Sequence, residues 1–153
     1  MKPCFGQLNM TCFGAYDNAV LKGSYRIDIH HCHDNGITFK YLDGKKVTQY
    51  GKGNKTVEGD WREEEGLAAD YARYYQVPFA ILVQNQIANL IPVGRMLHAD
   101  EGAFGALRVM VNLNQLGEAA GVAAYLSLHE NKAVFALSGD DVQTVLRRGG
   151  SAL

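Results

Sequence analysis

The sequence predicts a mixed α/β protein, with α+β topology locally, on three observations. Apolar and polar side chains alternate in two short segments between residues 24 and 50, which is the period of half-buried strands. The last third of the chain carries apolar residues at helical spacing, with capping residues at the segment ends. The chain has 153 residues, of which 47% are hydrophobic and 20% charged, so it can bury a core.

An antiparallel β-meander of three strands is predicted in the first third. Two runs of alternating apolar residues mark its first two strands: Tyr25, Ile27 and Ile29, then Ile37, Phe39 and Tyr41. Asn35-Gly36 and Asp43-Gly44 favour hairpin turns, because these residue types tolerate positive φ. A third strand follows the second turn.

The middle of the chain predicts an exposed loop, a helix and two strands. Residues 51–66 are polar and contain glycine, which indicates a loop or insertion. Asp60 with Glu63 can cap a helix that ends before Pro78. The apolar face of that helix consists of Leu67, Ala68, Tyr71, Tyr74 and Tyr75. Two apolar runs, 79–83 and 90–93, predict buried strands, the second ending in a turn at Gly94.

A glycine- and alanine-rich helix is predicted around residues 117–124. Asn112 with Gln115, or Asn114 alone, can cap its start. Glycine in a helix interior costs about 1 kcal/mol, so the small residues indicate close packing or a ligand against the helix start. Ser138 with Asp141 predicts a last helix that ends before Gly149-Gly150, with Val142, Val145 and Leu146 on its buried face.

Charge and cysteine content exclude several classes of protein. The formal net charge is −1 without a basic stripe, which argues against nucleic acid as a partner. No apolar run is long enough to span a membrane, and no signal peptide is visible. Cys4, Cys12 and Cys32 are an odd number without a CxxC motif, so we expect reduced thiols and a cytoplasmic protein.

Three segments in order carry a family resemblance. NLIPVGR (89–95), EGAFGALRVM (101–110) and LGEAAGVAA (116–124) together resemble the C-terminal flavin-binding portion of the FAD-dependent oxidoreductase family. VPFAILV (77–83) and GSYRIDIH (23–30) resemble segments upstream of it. The resemblance implies FAD as cofactor, hydride transfer on a small-molecule substrate, and the C-terminal strand–helix part of an FAD-binding Rossmann-like domain.

The resemblance also implies particular site residues. The flavin contacts would be Gly94, Arg95, Arg108, Val109, Gln115, Leu116, Gly117, Glu118 and Ala119. His30 ends a strand that resembles the substrate-facing strand of the family, so it is a candidate proton acceptor, and His98 is a second. By residue type alone, Arg108 could instead form a surface salt bridge with Glu101 or Glu118, and His30 could lie on an exposed strand face.

The family's first motif, the G-x-G-x-x-G that binds the ADP half of FAD, does not occur in this sequence. We therefore expect residues 1–75 to be a substrate-domain-like meander with a polar insertion and a helix, and residues 76–153 to be the C-terminal part of the FAD-binding domain. A partner chain or a missing N-terminal segment would then supply the ADP-binding half.

Two alternatives from other classes remain at the level of sequence. The chain could be a non-enzymatic, truncated remnant that binds nothing. It could also be a small metal-binding protein, because His31 and His33 share one face of a strand and could chelate a metal as His-x-His. The sequence identifies no third ligand, so no metal is assigned.

Overall fold

Two antiparallel sheets and four helices make up the part of the chain that the computed structural model describes, residues 16–51, 55–66 and 73–153. The strands are β1 (Ala19–Gly23), β2 (Ile27–His30), β3 (Gly36–Lys40), β4 (Lys45–Tyr50), β5 (Lys55–Asp60) and β6 (Tyr75–Pro78). The helices are α1 (Trp61–Glu64), α2 (Glu101–Leu107), α3 (Met110–Glu130) and α4 (Gly139–Arg148). The prediction of a mixed α and β protein is confirmed at this level.

The meander contains one strand more than the sequence predicts. Its order is β2-β3-β4-β5, and the predicted turn at Gly44 has a φ of 105°. The first hairpin has a longer connection, because β3 begins at Gly36. The prediction of an exposed loop over 51–66 is wrong for β5, in which Asp60 pairs with Lys45 of β4. Backbone ladder bonds hold a polar edge strand that hydrophobic periodicity does not reveal.

Asp60 caps a helix that is shorter than predicted. The Asp60 carboxylate accepts from the backbone N–H of Arg62 at 2.8 Å, and α1 is only four residues long. Gly66 follows with a φ of 68°, which ends the helix. Leu67, Ala68 and Tyr71 of the predicted apolar face lie outside the described residues. Tyr74 and Tyr75 of that face are not helical, since β6 begins at Tyr75.

Both strands predicted from short apolar runs are wrong. Residues 79–82 form a 3₁₀ turn, and the strand in this region is β6, which pairs with β1. Residues 90–93 belong to no strand. Pro92 lies within that run and has no N–H for a ladder bond. The turn at Gly94 is present, with a φ of 97°.

The glycine- and alanine-rich segment lies inside a long helix and does not begin one. α3 starts at Met110 after an N-cap at Val109, so neither Asn112 nor Asn114 caps it. It has 21 residues, yet no helix in the described part of the chain is both long and apolar enough to cross a bilayer. α4 agrees with its prediction: Ser138 accepts from the N–H of Asp140, Val142 and Leu146 are buried, and Val145 is half-buried.

The main core lies between the β1–β6 ribbon and helices α2, α3 and α4. Its central polar group is Asn112, which is 1% exposed. The Asn112 amide donates to the Tyr75 hydroxyl at 2.6 Å and to the Ala106 carbonyl at 2.7 Å. This amide therefore joins β6, the end of α2 and the first turn of α3.

Burial of Tyr75 predicts a loss of stability at alkaline pH. Burial raises the pKa of its phenol from 10.0 to about 12, against the opposing effect of the Asn112 hydrogen bond. The folded state keeps the proton that the unfolded chain loses above about pH 10, so up to about 3 kcal/mol of stability disappears between about pH 10 and 12. In urea denaturation series at rising pH, Tyr75→Phe is expected to remove this part of the loss.

Tyr125→Phe is the matched control, since the Tyr125 side chain is exposed on α3. It should leave the pH dependence unchanged. Equal slopes for wild type and Tyr75→Phe above pH 10 would contradict a buried, protonated Tyr75.

Candidate functional site

The candidate site depends on the close approach of α2 to β2. Gly105 faces the β2 backbone, and a Cβ at this position would come within 2.6 Å of the Asp28 carbonyl oxygen. Only glycine allows that approach without displacement of the helix. The packing brings the polar edge of β2 next to the connection between α2 and α3.

That connection consists of Arg108 and Val109. The Arg108 backbone N–H donates to the Phe104 carbonyl of α2, and the Arg108 guanidinium donates to the Asp28 carbonyl at 3.1 Å. Arg95 reaches the same place from the preceding loop, its Nε donating to the Arg108 carbonyl at 3.4 Å. The structure therefore brings together three of the predicted flavin contacts.

An open cleft of about 480 Å³ lies at this connection. Its lining residues come from three segments: Tyr25, Asp28, Arg95, Arg108, Val109, Met110 and Val111. The first turn of α3 opens onto the cleft, and its N-cap Val109 supplies no side-chain hydrogen bond. The backbone N–H groups of that turn and two guanidinium groups make the cleft suitable for an anion or a carbonyl edge.

A second cavity of about 440 Å³ shares Asp28 and Arg108 with the cleft. Its other lining residues are His30, Cys32, Ala99, Glu101, Phe104 and Gly105. Asp28 and His30 are two apart on β2 and lie on the same face of the strand. The predicted proton acceptor thus lies in a cavity adjoining the predicted flavin contacts.

The Asp28 carboxylate bonds to Arg26 and not to Arg108. Arg26 Nε donates to Asp28 Oδ1 at 2.9 Å, and this hydrogen bond raises the pKa of the Arg26 guanidinium. The Arg26 guanidinium also lies over the Phe39 ring, 4.9 Å from its centroid. The Asp28 carboxylate therefore forms its ion pair with Arg26, and Arg108 contacts the Asp28 backbone carbonyl instead.

Other predicted site residues lie elsewhere. Gln115 bonds both backbone groups of Lys22 on β1, and Glu118 accepts from Ser151. Leu116 and Ala119 are buried in the core, whereas Gly117 and Glu118 are exposed. All five lie beyond the first turn of α3, so the prediction that they open the helix is wrong. Their cofactor-binding role stays a prediction.

The other predicted site residues, Gly94 and His98, do not line either cavity. Gly94 is at the turn before Arg95, and a Cβ there would meet no atom within 4 Å. His98 is exposed and lines neither cavity. In the described part of the chain, Arg108 forms neither of the salt bridges considered for it, with Glu101 or Glu118.

Sequence analysis did not assign Phe104, Met110, Val111 or Tyr25 to the site. Phe104 and Met110 lie within the segment that carries the resemblance, and Val111 directly follows it. Their position next to the predicted flavin contacts could therefore have assigned them to the site. Tyr25 precedes β2 and reaches the cleft through the packing of that strand, which the sequence does not show.

The geometry does not support the metal-binding alternative. His31 Nδ1 bonds to Asp34 Oδ1 at 2.7 Å, and its Nε2 bonds to Thr38 Oγ1 at 2.8 Å. Both ring nitrogens are therefore engaged. Among the described residues, no three histidine, cysteine or acidic side chains are grouped so as to hold a metal ion.

Comparison with known proteins decides the family. The model of the FAD dependent oxidoreductase family matches residues 12–146, nearly the whole chain. The chain belongs to this family. Its cofactor is accordingly FAD, and its function is flavin-linked redox chemistry. No curated protein matches the chain, and no solved structure does.

The donors at the α2–α3 connection fit a flavin. The ring of FAD has carbonyl oxygens on its pyrimidine edge and gains negative charge there on reduction, and guanidinium and helix N-terminal donors would suit both. Arg95, Arg108 and the first turn of α3 are the groups that would hold that edge.

Two glycine substitutions should have opposite effects. Gly105→Ala places a Cβ against the Asp28 carbonyl and should destabilise the fold by about 1–3 kcal/mol. Gly121→Ala meets no atom within 4 Å on α3 and should stabilise it by about 0.5–1 kcal/mol. Urea denaturation of both variants measures these changes. A Gly105→Ala variant as stable as Gly121→Ala would contradict the close packing of α2 on β2.

Proposed function

We propose that the cleft at the α2–α3 connection receives the flavin ring, and that the His30 cavity receives a small-molecule substrate. The observation that supports this most is that the two cavities share Asp28 and Arg108. A ring in one cavity and a substrate in the other would therefore meet at the Arg108 side chain. The substrate itself has no signature in the residues that line the cavity.

Each residue has a distinct part in this proposal. Bound FAD supplies hydride exchange with the substrate. Arg108 and the N–H groups of the first turn of α3 stabilise negative charge on the pyrimidine edge. His30 holds the proton that the substrate loses or gains. The pair between Arg26 and Asp28 fixes the β2 backbone that Arg108 contacts.

We further propose that the β1–β6 ribbon with α3 and α4 is the C-terminal part of a Rossmann-like FAD-binding domain. β1 lies before the predicted domain boundary at 75/76, and its partner strand β6 crosses that boundary. The boundary itself stays a prediction. The ADP half of FAD would be held by a further segment or by a partner chain, because the sequence contains no G-x-G-x-x-G.

An exposed apolar face on α3 supports the proposal of a further segment or partner. Met110, Val111, Tyr125 and Leu128 are between 57% and 84% exposed. Gly121 lies on the same side and has open space where a Cβ would be. An apolar helix face of this kind is typically covered by another protein surface.

Loss of the Arg108 charge should weaken flavin binding. In titrations followed by flavin absorbance, Arg108→Gln should lower the affinity for reduced FAD about 10- to 100-fold, the value of one charge-assisted hydrogen bond. The loss should be smaller for oxidised FAD, because the oxidised ring carries no comparable negative charge. Equal losses of affinity for reduced and oxidised FAD would contradict an electrostatic role of Arg108.

The control is Arg147→Gln, an exposed arginine in the last turn of α4. It changes the net charge of the chain equally and should leave both affinities unchanged. Circular dichroism of each variant checks that the fold is retained.

The 153-residue chain by itself is expected to purify without colour. The ADP contacts that this sequence lacks include charge-assisted bonds of about 1.5–3 kcal/mol each, so FAD held by the ring alone should be lost on desalting. The exposed face of α3 should cause self-association, which sedimentation measures. A yellow monomer with one FAD per chain would show that the chain needs no further ADP-binding part.

A further inference from the structure

A chain of side-chain hydrogen bonds crosses the meander on the side of β2 that carries Ile29. Asp34 Oδ1 bonds to His31 Nδ1 at 2.7 Å, His31 Nε2 bonds to Thr38 Oγ1 at 2.8 Å, and Thr38 bonds to Thr48 at 2.8 Å. Thr38 and Thr48 are register partners on β3 and β4. A hydroxyl, an imidazole and an acid bonded in this order are the arrangement of a nucleophile, its base and the group that orients the base.

The surrounding backbone holds the imidazole in one orientation. The Gly36 N–H donates to the same Asp34 oxygen at 2.7 Å, and the His31 N–H donates to the Gly36 carbonyl at 3.0 Å. A Cβ at residue 36 would come within 2.4 Å of His31 Nδ1, so glycine is required under the ring. The carboxylate can only accept, so in the neutral imidazole Nδ1 carries the proton and Nε2 accepts from the Thr38 hydroxyl.

These groups line a cavity of about 510 Å³ that is distinct from the flavin cleft. Thr38 and Thr48 form part of its wall, together with Tyr50, Lys40 and Lys46. The cavity and the flavin cleft have no lining residue in common. Thr38 is 8% exposed and is one of the residues that line this cavity, so a ligand there approaches its side chain without entering the flavin cleft.

We propose that Thr38, His31 and Asp34 form an acyl-transfer site. The Thr38 oxygen bonds to the carbonyl carbon of an ester while its proton passes to His31 Nε2. The bond from carbon to the leaving oxygen breaks, and that oxygen takes the proton from Nε2. Water then attacks the acyl-threonine, its proton passes to His31, and the Thr38 oxygen leaves with that proton.

The charges around the cavity favour a small, neutral acyl ester. Lys40 pairs with Glu65 and Lys46 with Glu64, so each ammonium group is balanced by a carboxylate. Two ammonium groups that line the same cavity can still stabilise a carbonyl oxygen as it gains negative charge. A strongly charged ligand would find no unbalanced partner in either of these pairs.

The test is incubation of the full chain with p-nitrophenyl acetate. An initial burst of p-nitrophenol and an acetyl group mapped to Thr38 by peptide mass spectrometry are expected. His31→Gln should slow acylation of Thr38 by about 10²-fold or more, the effect of a lost general base, and Asp34→Asn should slow it as well. Thr38→Val should abolish the acetylated peptide.

His33→Gln is the matched control, because His33 is an exposed neighbour that also lines the cavity. It should leave acylation of Thr38 unchanged. Acetyl groups confined to cysteine or lysine, or equal losses for His31→Gln and His33→Gln, would overturn the proposal. If Thr38→Val does not fold, by circular dichroism, the two conservative variants at His31 and Asp34 decide the outcome.

Discussion

The arrangement of the molecule depends on one buried amide, that of Asn112. It donates to the last turn of α2 through the Ala106 carbonyl and to β6 through the Tyr75 hydroxyl. A buried polar group without partners costs about 1–3 kcal/mol, so helix α3 has a strong preference for the register in which both bonds form. That register determines where α3 begins, and hence where Arg108 and Val109 are placed.

The same register explains why the α2–α3 connection presents positive charge. Arg108 donates one hydrogen bond to the neutral backbone carbonyl of Asp28, while the Asp28 carboxylate accepts from Arg26. Arg95 likewise bonds to a backbone carbonyl. The first turn of α3 adds backbone donors that no side chain caps. Donors of this kind suit a flavin edge, which is why the proposed ring site lies at this connection.

Glycines of similar appearance in the sequence have different physical reasons. Gly105 permits contact between α2 and β2, and Gly36 permits the His31 ring to lie over the hairpin backbone. Gly117 and Gly121 have open space where a Cβ would be, so packing within the described chain does not explain them. A helix that accepts about 1 kcal/mol per interior glycine without an internal contact is consistent with a ligand or another surface lying against it.

The sequence by itself determined the meander, the caps at Asp60 and Ser138, and the family, because these depend on local patterning and on motif order. It did not determine the strand from 55 to 60 or the true start of α3. Short polar edge strands are held by backbone pairing, and helix starts by tertiary contacts such as that of Asn112. The tertiary structure likewise decided that His30 and Arg108 line one cavity, since they are 78 positions apart in sequence and only the packing of α2 on β2 brings them there.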